Sequence, residues 1–130
     1  MLTPTALAFI GDAAHTLYIR RRIVESGYAS GTMHIAATKF VNATAQAAAF
    51  DEFMTRDAFT EQELDIARRA KNAHLHSRAK SATLSDYHKA TALEAVIGYL
   101  ELSGENGRKN VLLELYAEVS GLDEFLKRDI

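Results

Sequence analysis

The stretch from Leu7 to Ile19, LAFIGDAAHTLYI, contains one acid, Asp12, in a run of apolar and small residues, and the first basic side chain after it is Arg20. The stretch from Thr91 to Leu100, TALEAVIGYL, likewise holds one acid, Glu94. A carboxylate withdrawn from water is costly without a partner. Either each acid meets a helix terminus or a Lys or Arg from elsewhere, or the two acids meet each other. Two carboxylates at one place repel, and an oxygen-preferring cation such as Mg²⁺ relieves that repulsion while keeping waters of its own for chemistry.

Helical geometry makes such a meeting feasible. At about 100° per residue, Asp12 shares a face with Ala8, His15, Thr16 and Ile19. Glu94 lines up with Ala90, Thr91, Ile97, Gly98 and Glu101. Gly11 and Gly98 each remove a side chain beside or one turn from an acid, so another backbone can come close. Two such helices crossing bring Asp12 and Glu94 together.

The rest of the chain reads as helix, and the expected fold class is all-α in a single domain, residues 1–130. Thr3-Pro4 suits a helix start, and the apolar positions that follow run to a stop near Gly27. A second helix is expected from about Thr32 straight through AATKFVNATAQAAAFDEFM, on its alanine content. Thr60 to Glu63, TEQE, fits a capping box. From His74 to Ser85 the periodicity disappears, which reads as a loop. Ser85 is the expected cap of a helix from Asp86 to about Ser103. A further helix closes at Gly121, and LDEFLKR forms a last turn. No stretch alternates with period two.

The formal net charge of −2 hides a polarised chain. Between Arg68 and Lys89, six basic residues face the single acid Asp86. Asp51 to Asp65 holds six acids against Arg56, and from Glu101 onward seven acids face four bases. With no cysteine there is no disulfide framework and no thiolate metal site. No apolar run reaches the roughly 20 residues of a membrane span, and no secretion leader is evident, so a cytoplasmic protein is expected.

FIGDAA together with ALEAVIGYL resembles the two signature segments of the ribonuclease III family. KFVNATAQAAA, ARRAKNA and DYHKATALEAVIGYL extend the likeness to its short form, which keeps the catalytic domain and lacks the double-stranded-RNA-binding domain. The resemblance covers roughly Leu7 to Leu102. It implies a ribonuclease III-like helical endonuclease domain that forms a homodimer and hydrolyses phosphodiester bonds in duplex RNA. The expected cofactor is Mg²⁺, with Mn²⁺ able to substitute. Asp12 and Glu94 occupy the positions of the metal-associated catalytic acids. Full-length members carry further acids where this chain has Ala8 and Thr91, and Thr16 stands where the first motif leads one to expect glutamate. The resemblance also implies products with 5′-phosphate and 3′-hydroxyl ends and a short 3′ overhang. Its expected substrate is precursor large-subunit (23S) ribosomal RNA, with a ribosomal protein as a possible helper. Phe9, three residues before Asp12, corresponds to a residue of the family's subunit contact; plain core packing is the other reading.

Duplex RNA is recognised through phosphates, 2′-hydroxyls and shape, and the segment from Arg68 to Lys89 combines basic and small residues suited to that. Lys71, Asn72, Arg78 and Lys80 are the expected phosphate contacts, the last two on a loop. The ordinary reading of the same segment is a solvated surface. His15 is either a hydrogen-bonding neighbour of an ion or a satisfied core residue. His74 and His76 lack a third ligand, and Arg20, Arg21 and Arg22 read mostly as solvated surface. The competing reading for the whole chain is a helical RNA-binding or ribosome-associated module without catalysis.

Overall fold

The computed structural model describes residues 2–73 and 83–128. Among these the elements are helical throughout: α1 (Pro4–Glu25), α2 (Met33–Thr38), α3 (Ala43–Thr55), α4 (Glu61–Lys71), α5 (Leu84–Leu102), α6 (Asn106–Val119) and α7 (Leu122–Arg128), with a single 3₁₀ turn at Ser30–Thr32.

Local chemistry sets most of the boundaries. The Thr3 hydroxyl accepts from the Ala6 N–H at 3.1 Å with Pro4 in the first turn, and Gly27 leaves α1 at φ +83. At α4 the capping box is complete: Thr60 accepts from the Glu63 N–H at 3.1 Å and Glu63 accepts from the Thr60 N–H at 3.0 Å. Two boundaries differ from the sequence-based expectation. The cap of α5 is Thr83, whose hydroxyl accepts from the Asp86 N–H at 3.0 Å. Capping from Thr83 places Asp86 in the first turn, where its charge suits the helix dipole; Ser85 lies inside the helix.

The alanine-rich stretch is two helices instead of one. Asn42 separates them: its Nδ2 donates to the Thr38 carbonyl at 2.9 Å, closing α2, while its Oδ1 accepts from the Ala45 N–H at 2.8 Å, opening α3. The buried Tyr116 hydroxyl takes the Phe40 carbonyl at 2.5 Å, turning that group away from helical bonding. High propensity loses here to a cap and a tertiary hydrogen bond.

α5 is the axis of the fold. Ala90 to Leu93, Ala95 to Gly98 and Leu100 are buried on all its sides, the signature of a helix surrounded by others. α1, α3, α4 and α6 all pack on it. Ile19, Ile23, Phe53, Leu93, Ile97, Leu112, Tyr116 and Leu122 are the large side chains removed from water, each worth about 1.5–3 kcal/mol of burial. Arg22, expected on the surface, instead docks α7: it donates to Asp123 at 2.6 Å and to the Tyr18 hydroxyl at 3.0 Å. Arg108 likewise ties α6 to α4 through both oxygens of buried Glu63, at 2.8 and 2.9 Å.

The α1–α5 contact is backbone against backbone. A Cβ at Gly11 would fall 1.6 Å from the Glu94 carbonyl oxygen, and one at Gly98 would fall 1.9 Å from the Leu7 carbonyl oxygen. Neither obstacle is a flexible side chain, so alanine at either position must push the helices apart. Gly11→Ala or Gly98→Ala is expected to cost roughly 3 kcal/mol or more, lowering Tm by about 10 °C. Gly107→Ala meets nothing within 4 Å and should be neutral to stabilising, by up to about 1 kcal/mol. Thermal melts of the three variants check this; equal effects at Gly11 and Gly107 would refute it.

Candidate active site

The glycine crossing puts the two lone acids side by side. Asp12 follows Gly11 on α1 and is exposed, while Glu94, whose own carbonyl abuts Gly11, is half-buried on α5. Both carboxyl groups line one cleft, where Asp12 acts on Glu94. Burial, followed by the hydrogen bond to Asp12 and its charge, pushes the Glu94 carboxyl up to about 9, with a hydrogen bond from Gln46 acting the other way.

The acids open into a cleft of about 370 Å³. Thr5, Ala8, Phe9 and Asp12 form its α1 wall; Tyr87, Ala90, Thr91 and Glu94 form its α5 wall; Val41 to Ala43 and Gln46 close its third side. No Lys or Arg is among these lining residues. Ala8 is buried, and the buried Thr91 hydroxyl donates to the Tyr87 carbonyl at 2.8 Å. Thr16 is half-buried one turn beyond Asp12, outside the lining. Among the described residues no three His, Cys, Asp or Glu side chains converge as a metal cage. A cation held here would take two carboxylates from the protein and the rest of its coordination from water. That donor set suits Mg²⁺, which keeps several waters, better than a closed structural zinc site.

The remaining sequence candidates fall in different places. Phe9 is 80% exposed on the rim of the cleft, which excludes core packing within this chain. Lys71 ends α4 exposed, with its Nζ 6.0 Å from the centroid of the Phe50 ring, and Asn72 caps the same helix. Arg78, Lys80, His74 and His76 lie outside the described residues. Lys89 pairs with Asp51 at 2.9 Å. His15 is fully buried, its ring edge-on to Tyr116 at 4.2 Å, and burial pushes its pKa down to about 4 despite the raising effect of Asp12. Gln46 was missed by the sequence reading, although its lone amide in ATAQAAA is as conspicuous as the lone acids.

Comparison with known proteins identifies the architecture. Residues 5–105 match the family described as Ribonuclease III domain. The chain is 41% identical to the Mini-ribonuclease 3 of Symbiobacterium thermophilum over 118 residues, covering 90% of this chain and 89% of that one. With the Mini-ribonuclease 3 of Staphylococcus aureus it shares 37% identity, covering 87% and 85%. The crystal structure of protein FN1578 from Fusobacterium nucleatum superposes with a TM-score of 0.78 at 30% identity, covering 89% of this chain and 92% of that one. The chain belongs to the ribonuclease III family and is an endoribonuclease of that type. The family acts on double-stranded RNA and generally uses a divalent metal. Among the described residues no helix is long and apolar enough to cross a membrane.

Glu94 holds its proton more tightly folded than unfolded, so its contribution to stability is full below its ordinary value of 4.5 and is lost as pH rises toward about 9. In EDTA, Glu94→Gln, which mimics the protonated acid, should therefore gain on wild type as pH rises. The difference should reach several degrees of Tm by pH 9 and shrink toward pH 5. Thermal scans across that range test it, and parallel curves would refute it.

Proposed function

We propose that this chain is a Mg²⁺-dependent endoribonuclease that cuts duplex regions of precursor large-subunit (23S) ribosomal RNA in the cytoplasm. Its products carry 5′-phosphate and 3′-hydroxyl ends. The observation that carries the reading is the meeting of Asp12 and Glu94 in an open cleft with no Lys or Arg among its described lining residues. Two acids brought together without a neutralising side chain have a use for a divalent cation, and the strained Glu94 carboxyl marks the same need.

Asp12 and Glu94 hold the cation from two rigid helices, which fixes its position against the RNA backbone. When bound, Mg²⁺ neutralises phosphate charge and acidifies water for in-line attack. Ala8 and Ala90, each one turn before an acid, keep the walls low beside the carboxyl groups. Lys71 at the end of α4, Asn72 that caps it, and Arg78 and Lys80 later in the basic segment supply phosphate contacts.

The working unit is a homodimer joined through Phe9, an aromatic ring that a lone chain leaves in water. Two clefts related by a twofold axis then cut both strands and set a short 3′ overhang. A ribosomal protein that presents the RNA belongs to the same reading.

Cleavage of a long duplex RNA and of precursor 23S RNA, with Mg²⁺ or EDTA, tests the function. Asp12→Asn and Glu94→Gln should each lower the cleavage rate by about 10³-fold or more, in the range of other essential catalytic groups, while RNA binding in EDTA persists. Wild type that binds RNA without cutting it would refute the catalytic reading. Phe9→Glu should convert the dimer to monomer in sedimentation, and an unchanged mass would remove Phe9 from the interface.

A further inference from the structure

Gln46 lies on α3 between two groups that approach it from different helices. Its Nε2 is 3.3 Å from Glu94 Oε2 on α5 and 3.3 Å from His15 Nδ1 on α1. A primary amide nitrogen carries two protons, so it can donate to both at once. With the nitrogen so placed, the amide spans the Glu94 carboxyl and the His15 ring nitrogen. The other ring nitrogen of His15, Nε2, has no hydrogen-bond partner among the described residues.

The contacts continue into the core. The His15 ring sits edge-on against Tyr116 at 4.2 Å, and Tyr116 is itself tied by its hydroxyl to the Phe40 carbonyl at 2.5 Å. Gln46, His15 and Tyr116 are all buried. A buried amide among alanines is costly unless its protons are used, and here the second proton goes to a group that cannot move. Both distances are long for hydrogen bonds, so what they supply is orientation more than binding strength. Glu94 is thereby contacted from α3 as well as by its acid neighbour on α1.

We propose that Gln46, anchored by His15, is a positioning residue that fixes the Glu94 carboxylate for the divalent cation. The inference rests on the assignment of Asp12 and Glu94 to a cation made above. Groups that orient a metal ligand through hydrogen bonds influence affinity for the metal as well as rate, which gives a readout that does not depend on catalysis.

The test is Mg²⁺ binding to the RNA-free protein by calorimetry, alongside Mg²⁺ titrations of single-turnover cleavage of a defined duplex RNA. Gln46→Leu should raise the Mg²⁺ dissociation constant by about 10- to 100-fold, leave RNA affinity in EDTA unchanged, and recover much of its cleavage rate at saturating Mg²⁺. Should that variant fail to fold, Gln46→Met, which keeps the length without the donor, carries the same expectation. His15→Phe should weaken Mg²⁺ binding less, and should add nothing in the Gln46→Leu background, because it acts through the amide. Unchanged Mg²⁺ binding in a folded Gln46 variant, where Glu94→Gln abolishes it, overturns the positioning role alone. A full additive effect of His15→Phe in the double variant overturns the anchor. If Glu94→Gln also leaves Mg²⁺ binding intact, the cation assignment fails and the inference falls with it.

Discussion

Everything at the candidate site depends on one steric constraint: α1 and α5 touch through their backbones at Gly11 and Gly98. A single methyl at either glycine would overlap a carbonyl oxygen of the opposing helix. The main-chain positions of Asp12 and Glu94 are therefore set by backbone contact. A carboxylate pair built on loops could move apart at the backbone to relieve its repulsion. Here the two attachment points can separate only if two helices at the centre of the domain separate.

The position of α5 explains why Glu94 is strained. A helix buried on most sides carries Glu94 into low-dielectric surroundings beside an acid neighbour. α1 has one face toward solvent, and Asp12 lies there. The pair is thus asymmetric, with one acid already hydrated and one held back from water. The free energy held in the second carboxyl is lost to stability in the cation-free protein, and the proposed cation would recover it. Such a conflict between stability and local chemistry is common where a fold serves a function.

Elements whose boundaries depend on a few neighbouring residues were legible in the sequence. Thr3-Pro4, the TEQE box and the glycine exits at Gly27 and Gly121 all act through local hydrogen bonds or backbone freedom, so local reading finds them. The single alanine-rich helix was misread because its break depends on Asn42 capping both ways and on the hydroxyl of Tyr116, which is remote in the chain. Arg22 was misread for a similar reason: its partner, Asp123, belongs to the last helix. Gln46 was visible as a lone polar residue but could not be assigned without knowing which helix faced it.

The sequence by itself determined that the protein is helical, that two acids stand alone in apolar helices, and that a glycine accompanies each. Those properties follow from residue type and from periodicity along one chain. Its signature segments also carried the family resemblance, which the comparisons establish. Only the tertiary structure decided that the glycines face each other, that Glu94 is the strained acid, and that His15 reaches it through Gln46. These are relations between helices far apart in sequence, and they exist only once α1, α3 and α5 have packed.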